Sequence, residues 1–514
     1  MRPCNYLDRG AMLAGAGGEC LTTDEFALSY GDVRSASFCI AEELHKAGAK
    51  EGTKVGVYSP NHPLALVAIL GVARAACTYV AINTANTVAD NAAVLQSAGC
   101  EILYYHSRYQ SQTFALADSV SSLRQIVALD DPDTEERWFD RSESEGFSTD
   151  QLPHSPDDIA YLLPTGGTTG PAKSVMVSNA NLEALVANQL TALPECENPV
   201  YLVSAPITHG AGIMALGFFA TGAMIHILDG VDPETVLSTI QERQVTHLFF
   251  PPTAIYKLLA HPTVRYYDYS SIRAFVYAAA PMATEKLREA IDVFGPVMAE
   301  VYGQSEQPFA TFLSAAEHEE SLRNNPDRLA SCGRPTAFTS LAIIGDDGTP
   351  CQPGERGEIA LKGQGVSPGY HNDPEATAAV RRGGWHLTGD IGVFDEDGYI
   401  YVVDRKKDMI VTGGFNVYPT EVEQVIHRLE GVVDVAVIGV PDPKWGEAVK
   451  AVIEVRPGYK VSEEAVIAAC KERLGSVKAP KSVDIWEALP RSGPGKVLKR
   501  EVRDHYWKGH DRAI

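Results

Sequence analysis

Five short segments of this chain carry residue types that do chemistry. The run Thr165–Gly166–Gly167–Thr168–Thr169–Gly170–Pro171–Ala172–Lys173 has the make-up of an anion cradle. Glycines let a backbone close round an anion with its N–H groups inward, and hydroxyls and a lysine add donors. The run is not a G-x-x-x-x-G-K-[ST] loop, because Ala172 precedes Lys173 and the glycine spacing differs. Read alone, it is also an ordinary Gly/Thr-rich surface turn. In Pro490–Arg491–Ser492–Gly493–Pro494–Gly495–Lys496, two glycines lead up to a cation, which suits a loop that moves, or a solvated basic tail. Tyr302–Gly303–Gln304–Ser305–Glu306 offers a hard oxygen donor or a turn with a solvated glutamate. Thr388–Gly389–Asp390 and Asp404–Arg405–Lys406–Lys407–Asp408 bring a carboxylate and a guanidinium, whose commoner fate is a surface ion pair. A sixth segment, Pro206–Ile207–Thr208–His209–Gly210–Ala211–Gly212, sets one histidine in an apolar stretch, the usual place of a satisfied core residue.

Taken in order across roughly residues 160–500, these segments resemble the adenylate-forming superfamily of acyl- and aryl-CoA ligases, firefly luciferase and peptide-synthetase adenylation domains. The phosphate loop there reads T-S-G-T-T-G-x-P-K-G; this chain has Gly166 for the serine, Pro171–Ala172 for x-Pro and Ser174 for the last glycine. The resemblance implies that Thr165, Gly166, Gly167, Thr168, Thr169, Gly170 and Lys173 hold the nucleotide phosphates. From Y-G-x-T-E it implies that Ser305 contacts the AMP phosphate and Glu306 binds Mg²⁺, with Glu300, Val301, Tyr302, Ala280 and Pro281 in the nucleotide site. Asp390 would hold the ribose hydroxyls, a fitting task for an acceptor-only group; Arg405 would contact the same ribose, and Lys407 would be the pivot. Lys496 would bridge the acid carboxylate and the α-phosphate, where charge builds during adenylation. His209 would sit beside the acyl carboxylate, with Ala211, Met214, Tyr277, Ala278, Ala279 and Gly303 around the acid. Lys496, His209 and Lys173 form the catalytic set.

The segment Tyr277–Ala278–Ala279–Ala280–Pro281 resembles S-G-G-A-P with larger side chains. Added volume excludes methylenes at about 1–3 kcal/mol each, so the expectation is a shortened pocket for an aromatic or short-to-medium acid. No aspartate stands in Thr208–Gly212, where amino-acid-activating relatives place one. For coenzyme A the resemblance points to Gly413 and Gly414, whose missing side chains would leave room for pantetheine, and to Lys481. Trp445 is a candidate either to stack on the CoA adenine or to pack under its loop. The implied activity is an ATP-dependent carboxylic acid–CoA ligase using ATP, Mg²⁺ and coenzyme A. The alternatives are an enzyme loading a separate acyl carrier protein and a noncatalytic nucleotide-binding protein.

The elements that must position these residues alternate. Lys54–Tyr58, Thr78–Ile82, Ile102–Tyr105, Val200–Ser204, Met224–Ile227, Thr246–Phe250 and Ala274–Ala278 read as strands, with helical patterns such as Leu64–Ala76 and Asn91–Ala98 between them. Strands separated by helices argue for parallel sheets covered by helices. After about residue 330, short strands with Asp347–Gly348 and Asp397–Gly398 turns read as antiparallel. A tail follows with helix Thr420–Leu429, strands Val433–Val440 and Ala448–Val455, and helix Ser462–Leu474. The expected fold is α/β: a large N-terminal domain of parallel-rich sheets covered by helices plus a small antiparallel β segment, with a small mobile α+β C-terminal domain. The expected boundaries are 1–404, a hinge at 405–407, and 408–514.

Bulk properties narrow the class. The formal charge is 44 − 66 = −22, the wrong sign for a general binder of nucleic acid or anionic membrane. Nine cysteines without C-x-x-C spacing suit reduced thiols. Met1–Arg2–Pro3 opens no basic-then-apolar leader. The uncharged run Asn198–Leu228 is long enough for a membrane span, but Pro199, Pro206, His209 and its glycines favour strand, turn and buried helix. The expectation is a cytoplasmic enzyme, compatible with a homodimer, acting on a small-molecule carboxylic acid. Gly15–Ala16–Gly17–Gly18 lacks a preceding strand and a third glycine at Cys20, so it is no dinucleotide fingerprint.

Overall fold

Parallel strands buried on both faces read as unbroken apolar runs, and that is how the first sheet is built. The computed structural model describes residues 1–139, 154–164, 173–491 and 497–508. All seven strands expected between Lys54 and Ala278 fall within one residue of their expected bounds: Lys54–Tyr58, Thr78–Ala81, Ile102–Tyr105, Val200–Val203, Met224–Ile227, His247–Phe250 and Ala274–Tyr277. The chain forms two compact units. The first comprises 1–139, 154–164, 173–340 and 361–386, and the second 341–360, 387–491 and 497–508.

The first unit holds two large sheets. One has seven strands, in the order Gly369–Tyr370, Ser174–Ser178, Ile159–Pro164, Thr78–Ala81, Lys54–Tyr58, Ile102–Tyr105 and Gln125–Ala128. Its last five strands are parallel, and Ser174–Ser178 turns back antiparallel on Ile159–Pro164. The nine-stranded sheet has a parallel centre that includes Met298–Gln304, Ala274–Tyr277, His247–Phe250, Val200–Val203 and Met224–Ile227. One apolar core joins Val55 and Tyr79 of the first sheet to Tyr201 and Ile225 of the second through helices Pro63–Arg74 and Gly210–Thr221.

All twelve residues of helix Pro63–Arg74 are buried; a helix apolar all round belongs in such a centre. Its one charge, Arg74, is 1 % exposed and is paired two-pronged with Asp8, at 2.7 and 3.1 Å, as a buried guanidinium requires. The uncharged run resolves into strand, twelve-residue helix and strand. Among the described residues no helix is long and apolar enough to cross a membrane. All nine cysteines are free thiols.

In the second unit, the Asp390–Phe394 part of strand Trp385–Phe394 pairs antiparallel with Ile400–Arg405 across the Asp397–Gly398 turn. The tail contains the expected elements: helices Pro419–Ile426 and Glu463–Lys478, and the antiparallel pair Val432–Asp442 and Gly446–Val455. Along Val432–Asp442, Val435 and Val437 face one core with Val422 and Cys470. Ala436 and Ile438 face another with Val502 of the last helix, Lys499–Trp507. Period-two alternation thus buries both faces of the strand.

Candidate active site

The expected phosphate loop hangs from a hairpin. Ile159–Pro164 runs out along the parallel direction, and Ser174–Ser178 returns with Pro164 opposite Ser174. Thr165, Gly166, Gly167, Thr168, Thr169 and Gly170 lie outside the described residues, as does Lys496. The foot of the loop is described. Strand Gly369–Tyr370 pairs with Ser174–Ser178, and the Lys173 ammonium lies 4.9 Å from the centre of the Tyr370 ring. Tyr370 donates a 2.6 Å hydrogen bond to Glu306 Oε1. Ser367 N donates to the Glu306 carbonyl at 2.8 Å, and Arg381 donates to the Ser367 carbonyl. Burial and the Glu306 charge push the Tyr370 phenol up. Burial also lowers the Arg381 pKa, against the pull of Tyr370 and Glu306. Sequence reading found Lys173 and Glu306 but missed Tyr370 and Arg381.

Glu306 is aimed by a tight turn. Gln304 and Gln307 are paired across strands Met298–Gln304 and Gln307–Leu313, leaving Ser305 and Glu306 as the two turn residues. Gly303 marks the irregularity in that ladder; a Cβ there would come 2.3 Å from the Pro308 carbonyl oxygen. Tyr302 lies on the same strand, and Val301 is buried in the core between the two sheets.

Tyr277 corrects an expectation. Its ring is 1 % exposed and packs with Phe275 and Phe294, while Val276 faces the core that holds the His209 helix. Bulk on that face cannot shorten a pocket on the other. Its hydroxyl instead lies 3.0 Å from Glu300 Oε2 and 2.9 Å from His318 Nε2, and His318 Nδ1 is 2.9 Å from the Ser314 carbonyl. Burial pushes the Glu300 carboxyl up to about 8 and the imidazole of His318 down to about 4. With Glu300 protonated, each proton has one acceptor: Glu300 to Tyr277, Tyr277 to His318, His318 to Ser314. Glu300 therefore serves as a strand-locking acid.

The sign of the resulting pH effect follows from the raised value. The folded chain keeps the Glu300 proton up to about pH 8, and the unfolded chain loses it near the ordinary carboxylate pKa of about 4.3. Stability falls as pH rises through that window. Glu300→Gln keeps a donor toward Tyr277 and removes the titration. Thermal melts between about pH 6 and 9 should show a smaller alkaline loss in the variant than in the parent; identical slopes would refute the buried-acid assignment.

Beyond the ring, Ala278 is partly buried against the core, and Ala279 takes φ 72° in an exposed turn followed by Ala280 and Pro281. A left-handed alanine costs about 1 kcal/mol or more, strain held at the segment expected to meet the adenine. His209 sits at the N-cap of helix Gly210–Thr221, its Nδ1 3.0 Å from Thr208 Oγ1. Burial lowers its pKa, so it is neutral near pH 7. Ala211 and Met214 are buried in the same helix. A tight apolar crevice with about 10 Å³ free to water runs behind this turn, lined by Leu66, Tyr79, Leu163, Thr208, Ile213 and Phe219.

In the second unit Asp390 stands directly across the ladder from Arg405, and their side chains pair at 2.6 Å. The ion pair joins a buried Asp390 carboxylate, 2 % exposed, to an Arg405 side chain that is 42 % exposed. Lys406 pairs with Glu358 at 2.8 Å, and Lys407 lies in the short 3-10 turn Lys406–Asp408. Gly413 and Gly414 have φ 57° and 83° at the tip joining Ile410–Thr412 to Phe415–Val417, the double left-handed turn only glycine accepts readily. The space over Gly413 is not open: a Cβ there would meet the Trp445 ring at 2.5 Å, whereas nothing lies within 4 Å of one at Gly414. Trp445 thus packs on the hairpin and stays 43 % exposed, with Lys444 4.6 Å above its ring. Lys481 donates to the Ser476 carbonyl at 2.6 Å.

Comparison with known proteins places these features. The AMP-binding enzyme family matches residues 9–371 and its C-terminal domain matches residues 421–496. The chain is 36% identical over 512 residues to the medium/long-chain-fatty-acid–CoA ligase FadD8 of Mycobacterium tuberculosis, covering 95% of this chain and 88% of that one. It is 34% identical over 485 residues to a feruloyl-CoA synthase of Amycolatopsis sp., covering 93% and 94%. Among solved structures, the amide bond synthetase McbA from Marinactinospora thermotolerans superposes with a TM-score of 0.90 at 28% identity, covering 98% of this chain and 99% of that one. The chain belongs to the AMP-binding enzyme family, the adenylate-forming superfamily, as an AMP-forming acid–thiol ligase.

Proposed function

We propose that the protein activates an aromatic or short-to-medium-chain carboxylic acid with ATP and transfers the acyl group to coenzyme A. The observation that carries this reading is the group at the foot of the loop, where Lys173, Tyr370 and Glu306 meet at one end of the sheet. A cation and a carboxylate held on either side of one phenol suit a polyphosphate and its counter-ion. In the first step the acid's carboxylate oxygen attacks the α-phosphorus and pyrophosphate leaves. In the second, the thiolate of coenzyme A attacks the acyl carbon and AMP leaves. Positioning and charge neutralisation supply most of such a barrier reduction. Lys496 brings positive charge to the two anions that must meet, His209 lies beside the acid, and Asp390 and Arg405 address the ribose. Residues 1–404 carry the nucleotide and acid sites, 405–407 the hinge about Lys407, and 408–514 the mobile part.

Magnesium fits the donor chemistry of Glu306. Mg²⁺ takes one or two carboxylates and completes its shell with phosphates and water. Among the described residues there is no cluster of three His, Cys, Asp or Glu side chains that would form a closed protein cage. Bound with ATP, the ion would neutralise phosphate charge. The feruloyl-CoA synthase relative supports an aromatic acid.

Acid-dependent ATP–pyrophosphate exchange, followed by CoA consumption, tests the reading across benzoate-type acids, medium fatty acids and palmitate. The expected result is faster turnover of the first two groups. A preference for palmitate would overturn the size assignment, and transfer only to a carrier protein or an amine would overturn the acceptor.

A further inference from the structure

The loop after strand Lys54–Tyr58 sends one side chain across to the other sheet. Asn61 Nδ2 lies 3.0 Å from the Ser204 carbonyl, 3.0 Å from that of Ala205 and 3.1 Å from that of Leu228. Its Oδ1 accepts the Ile207 N–H at 2.9 Å. Ser204 and Leu228 directly follow the parallel strands Val200–Val203 and Met224–Ile227. Beyond a strand end such backbone groups need other partners, and one primary amide supplies both donors and the acceptor.

The clamped segment leads straight to His209. The Ile207 carbonyl rests on Gly212, where a Cβ would come within 1.9 Å of its oxygen. His209 N donates to the Pro206 carbonyl at 3.1 Å, and the His209 carbonyl accepts Ile213 N at 3.3 Å. The turn is therefore fixed at three places: Asn61 before it, Gly212 beneath it, and the first turn of the helix after it.

We propose that Asn61 is a positioning residue for acid binding, setting the Ser204–Ile207 turn so that His209 meets the acid's carboxylate. This rests on the acid-ligase reading. The side-chain hydrogen bonds of Asn61 all go to this backbone, so its effect passes through the turn to the acid and leaves the nucleotide contacts at Lys173 and Glu306 in place.

Asn61→Asp tests it. The variant is isosteric, loses both N–H donors and turns a carboxylate toward three carbonyls. In acid-dependent pyrophosphate exchange, its KM for the acid should rise about 10-fold or more, with KM for ATP within about twofold. Lowering the pH protonates the new carboxyl and restores one donor, so the ratio to the parent enzyme should recover toward about pH 5. Asn61→Ala should show the KM effect without that recovery. Gly212→Ala, which displaces the Ile207 carbonyl with Asn61 intact, should raise KM for the acid in the same selective way. If the aspartate variant does not fold, Asn61→Ser carries the KM comparison with one neutral hydroxyl. An unchanged KM for the acid, equal rises for acid and ATP, or the same pH profile for the aspartate and alanine variants would each overturn the proposal. Absence of acid-dependent exchange in the parent enzyme would instead overturn the ligase reading.

Discussion

Replacing Lys496 by alanine is expected to lower acid-dependent ATP–pyrophosphate exchange by at least about 100-fold, the loss seen when one well-placed donor to a developing oxyanion is removed. The effect on thioester formation from a supplied acyl-adenylate should stay within a few-fold. The asymmetry has a plain cause. Adenylation presses a carboxylate against a polyphosphate, and charge grows at phosphorus until pyrophosphate leaves. Thioester formation starts from a mixed anhydride in which the carboxylate charge is gone, pyrophosphate has left and one phosphate charge remains. Measuring exchange, and separately AMP release from synthetic acyl-adenylate plus CoA, reads the two steps independently. Equal losses in both would refute the division of labour and return Lys496 to the solvated tail that its fragment resembles in isolation.

What the sequence could reveal follows from which forces are local. Val55, Val57 and Tyr104 lie on central parallel strands, so their apolar runs announced the sheet before any partner was known. The Asp397–Gly398 turn likewise announced the pairing of Trp385–Phe394 with Ile400–Arg405. Glu306 was visible because its motif is contiguous. Tyr370, which holds the Glu306 carboxylate, is 64 residues away and reaches it only through pairing with Ser174–Ser178. Asn61 is more remote still, bonded to groups 143 to 167 residues distant. Tyr277 misled because a motif gives residue size and not which face of the strand the side chain takes. Phe275 beside it in the same core, with Val276 opposite, shows the period-two alternation that decides the matter. Gly413 misled in the same way: a missing side chain means room only if no neighbour fills it, and Trp445 does.

The second large effect concerns Glu306 and its phenol. Glu306→Gln keeps the shape of the side chain and its acceptor oxygen toward Tyr370 but removes the charge that a hard cation needs. Hydrogen bonds and contacts to charged groups are worth about 1.5–3 kcal/mol, and a lost metal-ligating carboxylate lies at the upper end, so kcat/KM for Mg-ATP should fall about 100-fold. Tyr370→Phe removes one 2.6 Å bond to Oε1 and leaves the carboxylate in place; about 10-fold is expected. Because the phenol acts on the nucleotide through Glu306, the double variant should lose little more than Glu306→Gln alone, the non-additivity of groups that work as one unit. A readout free of turnover is the thermal stabilisation conferred by ATP as Mg²⁺ is titrated. Both single variants should need more Mg²⁺ to reach the parent's shift, while the small shift given by ATP without Mg²⁺ should be unchanged. Strictly additive losses, or an Mg²⁺ requirement equal to the parent's, would sink the assignment of Glu306 as the metal's carboxylate and leave the pair as a structural clasp between Gly369–Tyr370 and the Ser305–Glu306 turn.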